Sequence, residues 1–187
     1  MQKRLNSIAN IFTGQTFRSK VDNNPIGEVC VIQMKDLNKN YTGITNQPNT
    51  VTFDDVSNNQ LLKKGDILFL AKGNNNMAFT YDSDQPAVAV SLFFVIRVKS
   101  SDVIPDYLTW FLNNSITQKF LTTIREGASV SNIKKSIFEE ILVEIPEIRK
   151  QKLIANIYKL SIREEELMGQ LIEEKKQFIQ TALTNQL

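Results

Sequence analysis

The chain has 187 residues, 42% of them hydrophobic and 22% charged, with 22 Lys and Arg against 20 Asp and Glu for a net charge of +2. With that balance disorder is not the default, and a charge of +2 does not by itself point to a polyanion partner, so any face that meets a polyanion has to be local. Histidine is absent and Cys30 is the sole cysteine, which excludes Ser-His-Asp and Cys-His nucleophile pairs, the helical His zinc motif, a disulfide framework and a cysteine zinc site.

The first residues, Met1-Gln2-Lys3-Arg4, are basic, but polar and apolar residues alternate after them and no apolar run of a signal peptide appears. No stretch reaches the roughly 20 apolar residues of a membrane span. A soluble cytoplasmic protein with no membrane partner is expected.

Glu28 to Gln33 reads as a strand, with Cys30 as a small core residue inside it. The turn Lys63-Lys64-Gly65-Asp66 introduces another strand, Ile67 to Ala71. Ala87 to Val90 and Leu92 to Val98 are rich in β-branched and aromatic residues and read as two more. Their nearly continuous apolarity predicts burial on both faces or closure of the sheet. Pro105 suits a first helical turn, and Tyr107, Leu108, Trp110, Phe111 and Leu112 make a helix that stops near Asn113-Asn114. Ser115 is the expected cap of a second helix through Phe120, Leu121 and Ile124, ended by Gly127. Ile141 to Ile145 is a last strand, and Pro146 marks its junction with the C-terminal segment.

Residues 147 to 187 read as one long helix with seven basic and six acidic side chains. Leu153, Ile157, Leu160, Leu167, Leu171 and Phe178 recur at heptad spacing on one face, interrupted by Glu164 and Glu174. Such a helix would extend roughly 55 to 60 Å, too long to lie wholly on the remaining domain. It is expected to be a coiled-coil arm that needs a partner; the alternative is a helix broken at Gly169 and folded back. The fold class is therefore α+β, with a mixed, mostly β domain over residues 1–146 and a long helical arm over 147–187.

The search for catalytic chemistry yields little. Gly73 is followed by Asn74-Asn75-Asn76 and not by Gly-Lys-Ser, so there is no P-loop, and no glycine-rich dinucleotide fingerprint follows a strand. Asn24-Pro25-Ile26 stops short of the Asn-Pro-Pro of amino-methyltransferases. Glu173-Glu174-Lys175 reads as a solvated helix face. Asp54-Asp55 and Asp82-Ser83-Asp84 read as caps or turns. An enzyme is not expected, nor is a cofactor or a metal.

Binding has more support. Four segments gather the residue types that contact phosphate and base edges: Arg18 with Lys20; Lys35, Asn38, Lys39 and Tyr41; Lys72 with Asn74, Asn75 and Asn76; and Arg125, Ser129, Lys134 and Lys135.

Taken in order, several pieces resemble one half of a type I restriction-modification specificity subunit. They are Ile8, Ile11 and Thr13-Gly14-Gln15-Thr16 near the start, Leu61-Leu62-Lys63-Lys64-Gly65-Asp66-Ile67-Leu68-Phe69, Ile104-Pro105-Asp106-Tyr107-Leu108, Gly127-Ala128-Ser129, and Ile133 to Pro146 with Gln151-Lys152-Leu153-Ile154. Relatives commonly place Thr-x-Gly where this chain has Asn74-Asn75-Asn76, and Glu-Gln where it has Lys150-Gln151. They usually carry two recognition domains and two conserved helices, and this chain has one of each.

The resemblance implies a non-catalytic subunit that recognises a sequence in double-stranded DNA and works with methyltransferase and restriction subunits. Two copies paired through the six-residue stripe would restore the two-domain arrangement and read an interrupted palindrome. A coiled-coil interaction adaptor without DNA binding is the competing expectation, and a hydrolase using Asp, Ser or Thr is a remote third.

Overall fold

Four successive residues, Ile67-Leu68-Phe69-Leu70, are all buried. Alternate side chains of a strand point to opposite faces, so this strand must be covered on both sides. The computed structural model, which describes residues 1–73, 75–126 and 132–184, shows what covers it.

In chain order the elements are β1 (Gln2–Arg4), α1 (Leu5–Ile8), β2 (Ala9–Thr13), β3 (Val29–Ile32), β4 (Asn49–Val51), β5 (Ile67–Leu70), β6 (Ala78–Thr80), β7 (Ala87–Ala89), β8 (Phe93–Val98), α2 (Pro105–Asn113), α3 (Ser115–Glu126), α4 (Lys135–Glu139), β9 (Leu142–Glu144) and α5 (Ile148–Thr184). One antiparallel sheet has the order β2-β8-β5-β6 and a second has β4-β3-β7, with β3 and β7 parallel; β1 and β9 form a separate pair. The fold is mixed α+β with a long C-terminal helix, as expected.

The layers follow from the alternation. Ile67, Phe69, Phe94 and Ile96 point to one face of the larger sheet and pack with Leu5, Leu108, Leu112, Leu121 and Phe138 from the helices. Leu68, Leu70, Phe93 and Val95 point to the other face and meet Cys30 and Ile32 of the second sheet. That sheet's outer residues, Val29, Val31, Val51 and Val88, are roofed by loop residues Phe17, Val56 and Leu61. The result is helices, sheet, sheet and loops in four tiers. Phe69, Phe94 and Phe138 form a ring cluster with centroid separations of 4.4, 5.3 and 6.4 Å; each such side chain contributes about 1.5–3 kcal/mol by burial.

Entry into β5 is built on Gly65, whose φ of +88° suits glycine, and on Asp66, which is 1% exposed. Arg97 donates to the Asp66 carboxylate from Nε at 2.8 Å and from Nη2 at 2.6 Å, and the Lys63 amide adds a third bond at 2.7 Å. Arg97 also donates to the Leu61 carbonyl and lies over the Phe12 ring. This pairing holds the guanidinium above its ordinary pKa and fastens β8 to the turn that opens β5.

One local expectation needs correction, the cap of α3, and the alternative of a C-terminal helix broken at Gly169 falls away. Asn114, not Ser115, caps α3, since its Oδ1 accepts the amides of Ile116 and Thr117, each at 2.9 Å. Gly169 does not break α5, which runs continuously from Ile148 to Thr184. The part of α5 that meets the body uses Gln151, Ala155, Tyr158, Ile162 and Glu166. At about 100° per residue, the stripe of Leu153, Ile157, Leu160, Leu167, Leu171 and Phe178 lies on the opposite side. Its six residues are 60, 59, 70, 48, 52 and 75% exposed.

Candidate nucleic-acid interface

The loops singled out in the sequence originate from one end of the double sheet. The turn at 89–93 is the hub. Gly14 donates its amide to the Phe93 carbonyl and Gln15 to Ala89; Val90 donates to Ile32, and Ala71 to Leu92. Segments 14–20, 33–41 and 72–77 thus start side by side. A Cβ on Gly14 would collide with the carbonyl oxygens of Ala89 and Val90, so only glycine permits the first of these junctions. The fourth segment joins through a bridge between Lys72 and Asn132 and through the Ile133 amide, which donates to Ala71 at 3.0 Å.

From the hub the segments diverge. Lys72, Asn75 and Lys134 stay together at the sheet end, with Asn75 and Lys134 exposed. Arg125 reaches the same loop, donating from Nη1 to Asn76 Oδ1 at 3.3 Å. Lys135 is paired with Glu139 at 3.2 Å. Segment 14–20 instead turns over the outer face of the second sheet, where Phe17 and Val21 are packed and Arg18 and Lys20 are exposed. Segment 33–41 leads towards the arm, where Asn38 Nδ2 lies 3.5 Å from Glu166 Oε1. Lys35 is exposed, and Tyr41, at φ 57°, leans on the inter-sheet core. Asn74 and Ser129 lie outside the described residues.

Asn76 requires a correction. It is 4% exposed, and its side chain donates to the Leu70 carbonyl at 2.9 Å, which makes it the internal staple of the loop and not a reader of bases. Asn38 likewise spends its amide on the turn, accepting from the Thr42 amide and donating to the Thr42 hydroxyl, both at 2.8 Å.

Amide staples are what sequence reasoning missed. Gln118 donates from Nε2 to the carbonyls of Asn76 and Leu112, both at 2.7 Å, tying the loop to α3. Gln15 holds segment 52–57, donating to Asp55 O and accepting from Ser57 N. Residue type alone carries no signal for these roles. Gln151 is different, because it shares the helical face of Ala155, Tyr158 and Ile162, a pattern visible in the sequence.

Acidic groups gather at the far end of the larger sheet, where Lys64 sits 3.5 Å from Asp82 and 3.4 Å from Asp84. Lys72, Arg125 and Lys134 thus lie at the opposite end of the sheet from this acidic group, in a chain that is nearly neutral. Asp36, at the start of segment 33–41, is buried, and desolvation raises its pKa. Burial also raises the Cys30 thiol, consistent with an unreactive core residue. Among the described residues no group of His, Cys, Asp and Glu could hold a metal ion, and no helix is long and apolar enough to cross a membrane.

Comparison with known proteins bears on the fold and the family. The model of the type I restriction modification DNA specificity domain matches residues 1–177. No curated protein matches. Among solved structures, one described by the structural basis of complex assembly and conformational transition of the type I R-M system aligns over 89% of this chain and 39% of its own, at 14% identity and TM-score 0.68. The HsdS subunit from Thermoanaerobacter tengcongensis aligns over 88% of this chain and 37% of its own, at 14% identity and TM-score 0.63. The type I restriction-modification S subunit from M. genitalium aligns over 90% and 42%, at 14% identity and TM-score 0.60. The chain thus spans about two fifths of the length of these structures, and at this identity they support the fold. The match over residues 1–177 places the chain in the type I restriction modification DNA specificity domain family.

Proposed function

We propose that this chain is a non-catalytic DNA sequence-recognition module of a type I restriction-modification system. The observation that carries this reading is the convergence of Lys72, Asn75, Arg125 and Lys134 at one sheet end, in a chain whose family is a DNA specificity domain. Cationic side chains there meet phosphate, and Asn75 and the arginine are suited to base edges. Residues 1–146 form the recognition domain and 147–187 the arm.

In this reading two copies pair through the outward stripe from Leu153 to Phe178 and read an interrupted palindrome, and the assembly positions methyltransferase and restriction subunits on the site. Support for pairing comes from the stripe's direction: it faces away from the chain's own domain and is about half or more exposed along its length, an arrangement that a monomer leaves in water.

The test is selection of bound duplexes from a random library, followed by titration of the winner and a scrambled duplex at several salt concentrations. Enrichment of two related half-sites with a fixed gap, bound with a steep negative dependence of log K on log salt, is the expected result. Binding that is flat in salt and indifferent to sequence would replace this reading with that of a coiled-coil adaptor.

A further inference from the structure

Gln151 sits in the first turns of α5 with its residue 0% exposed. A buried primary amide is costly unless each of its groups is paired. Here all three are. Oε1 accepts the Ile104 amide at 3.0 Å, and Nε2 donates to the Asp102 carbonyl at 2.7 Å and the Pro146 carbonyl at 2.8 Å. Ile104 is the N-cap residue of α2, and Pro146 closes the passage from β9 to the arm. One side chain therefore fastens the base of the arm to two separate stretches of the body.

Further clamps lie along the same face. Asn113 Nδ2 donates to the Tyr158 hydroxyl at 2.7 Å, Lys159 pairs with Asp106 at 2.7 Å, and Asn38 lies 3.5 Å from Glu166. Beyond Glu166 every described residue of the arm is exposed. The arm is thus a lever held over its first half and free over its second. A tilt of about 10° at the base would move the tip of a ~55 Å helix by ~10 Å, about three base-pair steps of 3.4 Å.

We propose that Gln151 is a positioning residue that sets the direction of the arm and, through it, the gap between the two half-sites. The proposal rests on the two-copy reading above. Its chemistry is specific to an amide, because a carboxylate cannot donate to the two carbonyls and an alkyl group cannot pair with any of the three backbone groups.

The experiment compares full-length wild type with Gln151→Leu in two measurements. Library selection reads the gap: wild type is expected to enrich one length, and the variant two or more lengths with unchanged half-site bases. Spin labels at Asn59→Cys and Gln180→Cys, in chain diluted with unlabelled chain, read the distance from domain to arm tip, which is expected to shift or broaden in the variant. The buried Cys30 stays unlabelled. Wild-type distances and a wild-type gap in Gln151→Leu would overturn the proposal. If that variant does not fold, Tyr158→Phe combined with Lys159→Ala loosens the next clamps and carries the same expectation. Failure of wild type to select any interrupted site would reject the two-copy reading, while the tip distance still decides whether Gln151 aims the arm.

Discussion

The side-chain amide of Asn113 pairs with both backbone groups of Ala78, accepting from its N–H at 2.8 Å and donating to its carbonyl at 2.7 Å. Ala78 opens β6, the edge of the larger sheet, and Asn113 completes that edge as a further strand would. Its second N–H donates to Tyr158 of the arm. Asn113 consequently joins the end of the 72–77 loop, the end of α2 and the arm in one junction. Asn113→Ala leaves three partly buried groups unpaired and is expected to destabilise the fold by about 1–3 kcal/mol, measured by urea denaturation. Since the loop ends at Ala78, the same variant should lose affinity for selected DNA at temperatures where it remains folded.

The Asp66–Arg97 pair predicts an asymmetry. Arg97 has 27% of its side chain exposed and Asp66 only 2%. Arg97→Met strands a carboxylate in the interior and should cost about 3–5 kcal/mol. Asp66→Asn keeps an acceptor for the Lys63 amide and leaves a guanidinium near water, so its cost should be about 1–2 kcal/mol. Equal losses in chemical denaturation would mean that the two groups are solvated alike in the folded protein.

How much of the fold is legible in the sequence depends on whether burial leaves a compositional mark. β3, β5, β7 and β8 are legible because strands covered on both faces read as apolar runs. β1, β4 and β6 are not, being three residues long and mostly polar or isolated, with pairing supplied by distant partners such as Val143 for Lys3. The arm's outward stripe and its passage through Gly169 are legible because periodicity survives one glycine. Asn76 reads as a base contact and proves to be a staple, because an amide looks the same on a surface and in a core. The convergence of loops on residues 89–93 is invisible, since it depends on the parallel pairing of β3 with β7, which no local pattern encodes.

Tyr107 provides a pH test. Burial, with Glu144 nearby, pushes its pKa from 10.0 up to about 12, and its hydroxyl donates to the Glu144 carbonyl at 2.6 Å. The folded state therefore holds this proton more tightly than the unfolded one. The resulting stability is fully present below about pH 10 and is lost as pH rises towards 12. Tyr107→Phe should cost about 1 kcal/mol at neutral pH, and its deficit against wild type should shrink between pH 10 and 11. A deficit constant across that range would show that the phenol titrates normally.

Salt dependence separates the basic residues. Lys72 and Lys134 lie at the hub end, whereas Lys39 follows Asn38, which faces Glu166 of the arm. Lys72→Ala and Lys134→Ala should each reduce the slope of log K against log salt by about 1, while Lys39→Ala should change it less. A larger effect from Lys39 would move the DNA path towards the arm.

The arm allows a clean separation of folding from association. Leu160 and Leu171 are 70% and 52% exposed on the face opposite the body, so Leu160→Glu with Leu171→Glu adds charge without entering the core. Neither residue touches the Gln151 side of α5, and an exposed helix accepts glutamate at little cost in propensity. The thermal midpoint of the globular part, followed by tryptophan fluorescence from Trp110, should hold within a few degrees. If the stripe joins two copies, two buried glutamates per helix would disrupt the seam, and light scattering should fall from twice 21.3 kDa to 21.3 kDa. DNA affinity should fall with it, because a single domain meets a single half-site and loses the effective concentration that linkage supplies. A variant that remains at twice the chain mass would place the contact between copies elsewhere on the protein.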